Sequence, residues 1–405
     1  MTRSLSLAAY MAYARRTTQP SGDFEIGRPE GELVWAHAAD LERAKALVQI
    51  AERLAQLRPG LHMLLTVAEG AKTPEPADES TLVQPLPEDR VAAVTAFLDH
   101  WSPDLCLWAG AELRPALLTG ADKRGIPLYL IDATEEQFAR PRWRWLPDLS
   151  RSLLQRFAQV QARSRSAAQS LCRLGLSEEN ITISGPLRTE ALPRPYDEAA
   201  RDKLARILLG RPVWLAAYLD PGELDIVLEA RRKVSRFAHR LMLVICPEHP
   251  DAKDEIAARL TEEGLRFADW SAGDEPSEHC QVILGEPERE LGLWYRLAPI
   301  CLMGQSLLPG MTGRDPDEPA VHGSAILYGP NVRTYLKEYG RYAEMRAARI
   351  VRDPETMAAA VSQLIAPDHA AAMAHAAWDV ASQAAEVNDR LLDLIQDTLD
   401  LVTAR

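Results

Sequence analysis

Short apolar runs alternate with segments of helical period along this chain, and they do so in two successive series. In the first, residues 33–37 (LVWAH) follow the turn at Pro29-Glu30-Gly31. Leu41, Ala44, Leu47, Val48, Ala51, Leu54 and Ala55 come next, spaced as one face of a helix. Strands are predicted at 61–67, 105–108 and 127–131, with helices at 91–100 and 115–123. The second series opens after Pro193-Arg194-Pro195 with a polar helix over about 197–208. Strands follow at 212–217, 241–246, 281–284, 300–303 and 325–328, interleaved with helices at 223–236, 251–263 and 288–296. The tail, 354–404, reads as nearly all helix. Runs this short and this apolar suit strands buried on both faces, as in a parallel sheet covered by helices. The expected fold is α/β, with two Rossmann-like, doubly wound domains facing a cleft. Their expected bounds are 1–195 and 196–375, followed by a C-terminal helix at 376–405.

Composition narrows the function. A chain of 405 residues, 47% of them hydrophobic, can bury two or three domain cores. Its formal charge of -12 argues against general nucleic-acid binding. No apolar run reaches the roughly 18 residues of a membrane span, and the N-terminus lacks the apolar core and cleavage pattern of a secretory signal. The five cysteines form no C-x-x-C, and the nine histidines form no H-E-x-x-H. Neither a zinc site nor a disulfide framework is therefore expected, and a cytoplasmic location is. Basic and aromatic residues gather in 138–165, where Arg140, Arg142, Arg144, Arg151, Arg156, Arg163 and Arg165 interleave with Phe138, Trp143, Trp145 and Phe157. That segment suits either anionic lipid heads or a solvated helix. The first sixteen residues suit either an interfacial or a docked helix.

In doubly wound sheets, ligands bind beyond the carboxyl ends of the strands. The loops 37–43, 109–115, 132–137, 218–223, 247–250, 304–318 and 329–335 are therefore the ones to inspect. In 304–318, Asp315 suits an N-cap and Pro316 an early helical position. Exposed N–H groups there favour a phosphate, and Glu318 can accept from ribose hydroxyls. The helix opening at Glu286 offers a second anion site. His249 follows a strand end, and the Gly222-Glu223 pair can cap a helix or meet a ligand. Asp40 and Glu42 are candidate general bases. Each feature also has a plain structural reading as a capped or solvated helix start.

In order along the chain, RPEGELVWAHAA (28–39), WSPDLCLWAGAELRP (101–115), RGIPLYLIDA (124–133), SGPLRTE (184–190), CPEHP (246–250), ELGLWYRLA (290–298), GQSL (304–307), DPDEPA (315–320) and YGP (328–330) resemble the 3-deoxy-D-manno-octulosonic acid (Kdo) transferases of lipopolysaccharide synthesis. The resemblance runs from about residue 29 to about 365. It implies the GT-B fold and inverting, metal-independent transfer of Kdo from CMP-Kdo to a lipid A precursor. No cofactor is implied; the donor is a CMP-linked sugar and the acceptor an anionic glycolipid. Peripheral contact with the cytosolic face of an inner membrane is implied as well. The donor-contact positions are Arg188, Pro247, Glu248, His249, Arg289, Glu290, Leu291, Ser306, Arg314, Asp315, Pro316, Asp317 and Glu318. The catalytic candidates are Glu42 and Asp40.

This sequence departs from the family pattern at several of these positions. The family's general base, the Glu of H-A-A-S-V-G-E, is matched by Arg43. Glu42 stands one position earlier, about 100° around the helix. The donor-contacting Arg of P-R-H-P is matched by Glu248, and Arg314 stands where the family has a His. Arg43 and Glu248 also suit a catalytically silent relative that serves as a binding or scaffold protein. A changed residue at 248 further suits a GT-B enzyme with another nucleotide-sugar donor.

Overall fold

A computed structural model describes residues 4–15, 24, 26–75, 78–110, 112–139, 147–208 and 210–403. The chain divides into two compact units, Met1–Glu190 with Gln383–Arg405, and Ala191–Ser382. Each is built on a seven-stranded sheet.

The first sheet contains β1 (Leu33–Ala38), β2 (His62–Val67), β3 (Thr81–Pro85), β4 (Leu105–Ala109), β5 (Leu128–Ala133), β6 (Gln159–Ala162) and β7 (Ile181–Ile183), in the order β3-β2-β1-β4-β5-β6-β7. The second contains β8 (Val213–Leu219), β9 (Met242–Pro247), β10 (Phe267–Asp269), β11 (Val282–Leu284), β12 (Ile300–Met303), β13 (Ala325–Tyr328) and β14 (Ala348–Ile350), in the order β10-β11-β9-β8-β12-β13-β14. Every neighbouring pair is parallel. Helices cover both faces, which is why β1, β4, β8 and β9 are buried along their whole length and read as unbroken apolar runs. Both units are thus doubly wound α/β folds.

The strands expected from the sequence form within one or two residues of their expected bounds. β3, β6, β7, β10 and β14 were not foreseen. β6 falls inside the basic aromatic segment 138–165, whose residues 140–146 lie outside the described residues. The rest of that segment is not one solvated face. The helix Pro147–Leu154 buries Leu149, Leu153 and Leu154, and β6 buries Val160 and Ala162.

At the N-terminus, Ser4 caps the helix Leu5–Ala14, which buries Leu7, Tyr10 and Ala14 in the core of the first unit. The Tyr10 hydroxyl donates to Asp89 at 2.6 Å. The helix is docked, with Leu5 and Tyr13 left exposed. At the other end, the helix Pro367–Thr403 gives Ala377, Val380 and Ala381 to the core of the second unit, and Leu391, Leu392, Ile395 and Leu399 to that of the first. Among the described residues, no helix is long and apolar enough to cross a membrane.

The turns at the strand ends are tight. A Cβ on Gly329 would lie 2.2 Å from the carbonyl oxygen of Ser306 and 2.4 Å from its carbon, and neither backbone atom has a flexible side chain's freedom to retreat. Gly329→Ala is expected to destabilise the protein by roughly 3 kcal/mol, the scale of overpacking against a fixed backbone. A urea unfolding midpoint equal to that of the native protein would refute this.

Candidate functional site

Strand order reverses between β1 and β4 in the first sheet and between β8 and β12 in the second. Crevices open at such reversals, outside the carboxyl ends of the strands. In both units, charged residues gather there.

In the second unit, the loop after β12 bends back over β8. Three successive backbone N–H groups, of Gln305, Ser306 and Leu307, donate to the Glu223 carboxylate at 2.8, 2.9 and 2.8 Å. The Asp220 N–H adds a fourth bond at 3.1 Å. Glu223 is fully buried, and its burial raises its pKa against the pull of those donors. It is a brace for the loop and leaves its amides no vacancy for a ligand anion. Glu290 acts similarly at the helix Pro287–Leu297, where its carboxylate accepts from the Glu286 N–H at 2.9 Å. One backbone N–H at the second expected anion site is thus taken by a carboxylate of the chain itself.

Around this brace lie the residues still open to a ligand. Arg314 donates to Glu248 at 2.7 Å, and its guanidinium stands 4.7 Å from the centre of the Tyr218 ring. Gln305 also bonds Glu248. Glu318 accepts from Arg194 through both Nε (3.2 Å) and Nη2 (3.1 Å), from the Tyr218 hydroxyl at 2.8 Å, and from the Tyr295 hydroxyl at 3.3 Å.

Several expected donor contacts have structural duties instead. Leu291 is wholly buried in the core, and the Ser306 hydroxyl donates to the Met303 carbonyl while accepting from the Gly329 N–H. Asp317 is held by Tyr342 and Arg341. The helix expected to start at Asp315 is a single short segment, Asp317–Val321, with Pro316 at its N-cap position. Asp315 lies just outside it and accepts from the Asp317 N–H at 2.9 Å. That bond closes a local turn over Pro316, and the helix starts after it. Pro247 ends β9, His249 and Arg289 are exposed, and Arg188 is half-buried in the first unit, where its carbonyl accepts from Asn388.

In the first unit, Asp40 caps the helix Leu41–Leu57 by accepting from the Arg43 N–H at 3.0 Å. The Arg43 side chain folds back to Asp40 and donates through Nε to Asp132 at 2.6 Å. Gly110, with φ +61, lies against the guanidinium, and a Cβ there would stand 2.5 Å from the Arg43 Nε. Asp132 sits at the end of β5 with φ +50 and its side chain fully buried. It also accepts two bonds from Arg163, each 2.7 Å long, and a longer one from the Leu187 N–H. Glu42 is exposed on the first turn of its helix and pairs with Lys45 at 3.7 Å. His37 lies within β1 and bonds Thr66, and burial lowers its pKa to about 3, so it carries no charge here.

Sequence reasoning passed over Asp132, Arg194, Tyr218 and Tyr295. Asp132 and Tyr218 carried one signal, a polar or aromatic residue at the end of an apolar run. Their positive φ is a backbone property that the run itself does not encode.

Residues 12–191 match the family model described as 3-deoxy-D-manno-octulosonic-acid transferase (kdotransferase). A 3-deoxy-D-manno-octulosonic acid transferase of Bordetella pertussis is 28% identical over 98% of this chain and 97% of its own length. One from Haemophilus influenzae is 24% identical over 94% of this chain and 90% of its own. Among solved structures, the C-terminal CMP-Kdo binding domain of WaaA from Acinetobacter baumannii aligns with 47% of this chain and 98% of its own, at 23% identity and a TM-score of 0.40. Two doubly wound sheets are the architecture of the GT-B fold class, and the similarity to named transferases marks the chain as a glycosyltransferase. The chain thus resembles the 3-deoxy-D-manno-octulosonic acid transferases, in residues 12–191 by the family model and over nearly its whole length by the named relatives.

Asp315 gives the second unit a pH signature. Burial, with Asp317 and Glu318 nearby, raises its pKa from the ordinary 3.8 to about 6. Between about pH 4 and 6, the folded protein keeps a proton that the unfolded chain has released. Stability therefore falls as pH rises through that window and levels off above it. Asp315→Asn keeps an acceptor for the Asp317 N–H and cannot ionise. The variant is expected to be more stable than the native protein at pH 7.5, by roughly 1–3 kcal/mol, with the gap closing towards pH 4. Parallel urea midpoints at both pH values would refute the assignment.

Proposed function

We propose that this protein transfers Kdo, or a related sugar acid, from a CMP-linked donor to a lipid A precursor in lipopolysaccharide core synthesis. The observation that carries the reading is similarity over nearly the whole of both chains to proteins named for that transfer. The second unit is the donor domain and the first the acceptor domain. Arg314, on the loop after β12, and Glu318, in the short helix that follows it, both lie beside Tyr218 and supply what a cytidylate needs: a cation for its phosphate and a carboxylate for its ribose. Half of the Arg314 side chain's reach is spent on Glu248, and the donors turned away from that pair meet the phosphate.

The transfer is inverting and does not depend on a metal. A base takes the proton of the acceptor hydroxyl as that oxygen attacks the anomeric carbon, and the bond to the cytidylate oxygen breaks on the opposite side. Arg314 stabilises the charge that collects on the departing phosphate. Asp40 is the base. Its carboxylate stands at the end of β1, 47% exposed, and Arg43 fixes its orientation. Glu42 points from the helix towards solvent and serves less well. Arg163, half-exposed beside Asp132, offers an acceptor phosphate its remaining N–H groups. Contact with an anionic membrane surface follows from that acceptor.

A second reading, binding without transfer, is favoured by Arg43. It occupies the position of the family's general base and is bonded on both sides by aspartates. Calorimetry with CMP and turnover of CMP-Kdo with a lipid A precursor separate the two. The transferase reading requires CMP binding, product formation and turnover that survives EDTA. Binding without product supports the second reading, and no binding at millimolar CMP removes both. Asp40→Asn retains the cap and loses the base, so kcat is expected to fall at least about 100-fold, well beyond the effect of Glu42→Gln. An equal or smaller fall for Asp40→Asn excludes it as the base.

A further inference from the structure

We propose that Arg194 is a positioning residue of the nucleotide site, holding Glu318 so that only one carboxylate oxygen is offered to the sugar of the bound nucleotide. The inference rests on the cytidylate reading above and goes beyond it by naming how the carboxylate is presented.

The two oxygens of Glu318 are unequally engaged. Oε2 accepts from Arg194 Nε at 3.2 Å, the Tyr218 hydroxyl at 2.8 Å and the Tyr295 hydroxyl at 3.3 Å. Among the described residues, Oε1 accepts only from Arg194 Nη2, at 3.1 Å. A carboxylate offers about two lone-pair directions on each oxygen. Oε2 is therefore full, and Oε1 keeps one direction open. The Glu318 side chain remains 27% exposed, so a ligand can reach that direction.

Arg194 itself is fixed from its backbone outwards. It lies on the segment by which the chain enters the second unit. Its N–H donates to His322 Nε2 at 3.0 Å, which requires that nitrogen to be unprotonated. Burial lowers the His322 pKa to about 4, so the bond persists at neutral pH. On the other side, the carbonyls of Arg194 and Pro195 press on Gly292, where a Cβ would lie 2.7 and 2.5 Å from their oxygens. The guanidinium then bridges outward, with Nη2 also 2.7 Å from the Tyr218 hydroxyl oxygen. A planar fork held this way fixes both the position and the rotation of the carboxylate, which a lysine cannot do.

A ribose presents two neighbouring hydroxyls, and a carboxylate with both oxygens open would accept from both. With only Oε1 open, one hydroxyl counts and the other does not. The test is calorimetry of the full-length protein with CMP, 2′-deoxy-CMP and 3′-deoxy-CMP. In the native protein, loss of one hydroxyl is expected to weaken binding about 10-fold or more, the scale of a hydrogen bond to a charged group, and loss of the other less than about 2-fold. In Arg194→Met and Arg194→Lys, CMP binds more weakly and the two deoxy analogues become equivalent within about 3-fold. Tyr218→Phe leaves Oε2 with two donors, from Arg194 and Tyr295, and is expected to keep the ratio of the native protein. A purely structural role for Arg194 would weaken all three ligands alike and preserve their ratio. Equal penalties for both hydroxyls in the native protein, or an unchanged ratio in both Arg194 variants, overturn this inference and leave the cytidylate reading standing. Absence of CMP binding to the native protein overturns both.

Discussion

Asp132 in the first unit and Glu223 in the second each place a buried carboxylate under the loops that leave the sheet. Such an ion loses hydration worth several kcal/mol and persists only if every lone pair finds a partner. The two units meet this demand differently. Glu223 takes four backbone N–H groups and no cation, so its charge is spread into the loop it shapes. Asp132 takes two guanidiniums, from Arg43 and Arg163, and one backbone N–H. The geometry of both candidate sites follows from these requirements. Gln305 to Leu307 are bent as they are because Glu223 collects their amides. Arg43 lies where it does because Asp132 needs it.

The same reasoning bears on the departures from the family pattern. Glu248, taken alone, repels a donor phosphate. Bonded to Arg314 and Gln305, it becomes half of an ion pair whose positive member lies over Tyr218. The acid at 248 and the base at 314 thus neutralise each other. The cation of the pair stands on the β12 loop, and the carboxylate on the β9 loop is not left unopposed. Arg43 fits a similar account, with Asp40, Arg43, Asp132 and Arg163 summing to no net charge. Substituting Arg43 by a carboxylate would leave the buried Asp132 beside a second anion, with only Arg163 to balance it.

How much of this was legible in the sequence depended on how much apolar surface each element buries. Long runs such as 213–219 announce a strand by themselves, and Asp40 before Leu41 announces a cap. Ile181–Ile183, Phe267–Asp269 and Ala348–Ile350 are three-residue edge or near-edge strands, too short to show a period. Gln159–Ala162 alternates polar and apolar within a stretch whose arginines dominate its composition. At the site, Asp315 and Glu318 could be picked out because carboxylates beside a proline stand out. Their environment could not. That Glu318 lies under Arg194 depends on a pairing 124 residues apart, and the capture of loop N–H groups by Glu223 and Glu290 depends on how loops turn, which residue type alone does not fix.

Backbone strain ties these threads together. Asp132, Tyr218 and Gln305 are non-glycine residues with positive φ at the carboxyl ends of strands; Tyr218 and Gln305 belong to β8 and the loop after β12, the two strands that flank the reversal in the second sheet, and Asp132 to β5, one strand beyond the reversal in the first. At Asp132 and Tyr218 the sheet register also shifts, between Leu130 and Ala133 and between Ala216 and Leu219. Such residues cost about 1 kcal/mol or more each and persist where the surroundings over-determine them. Here the surroundings are visible. The bulge at Asp132 turns its carboxylate inward to meet two arginines. The bulge at Tyr218 swings its ring under Arg314 and its hydroxyl onto Glu318. An unstrained, regular strand would send both side chains into the helix layers, and the charged residues of each unit would lose the group that now orients them. The strain is therefore the local means by which two ordinary doubly wound sheets acquire sites at their strand ends.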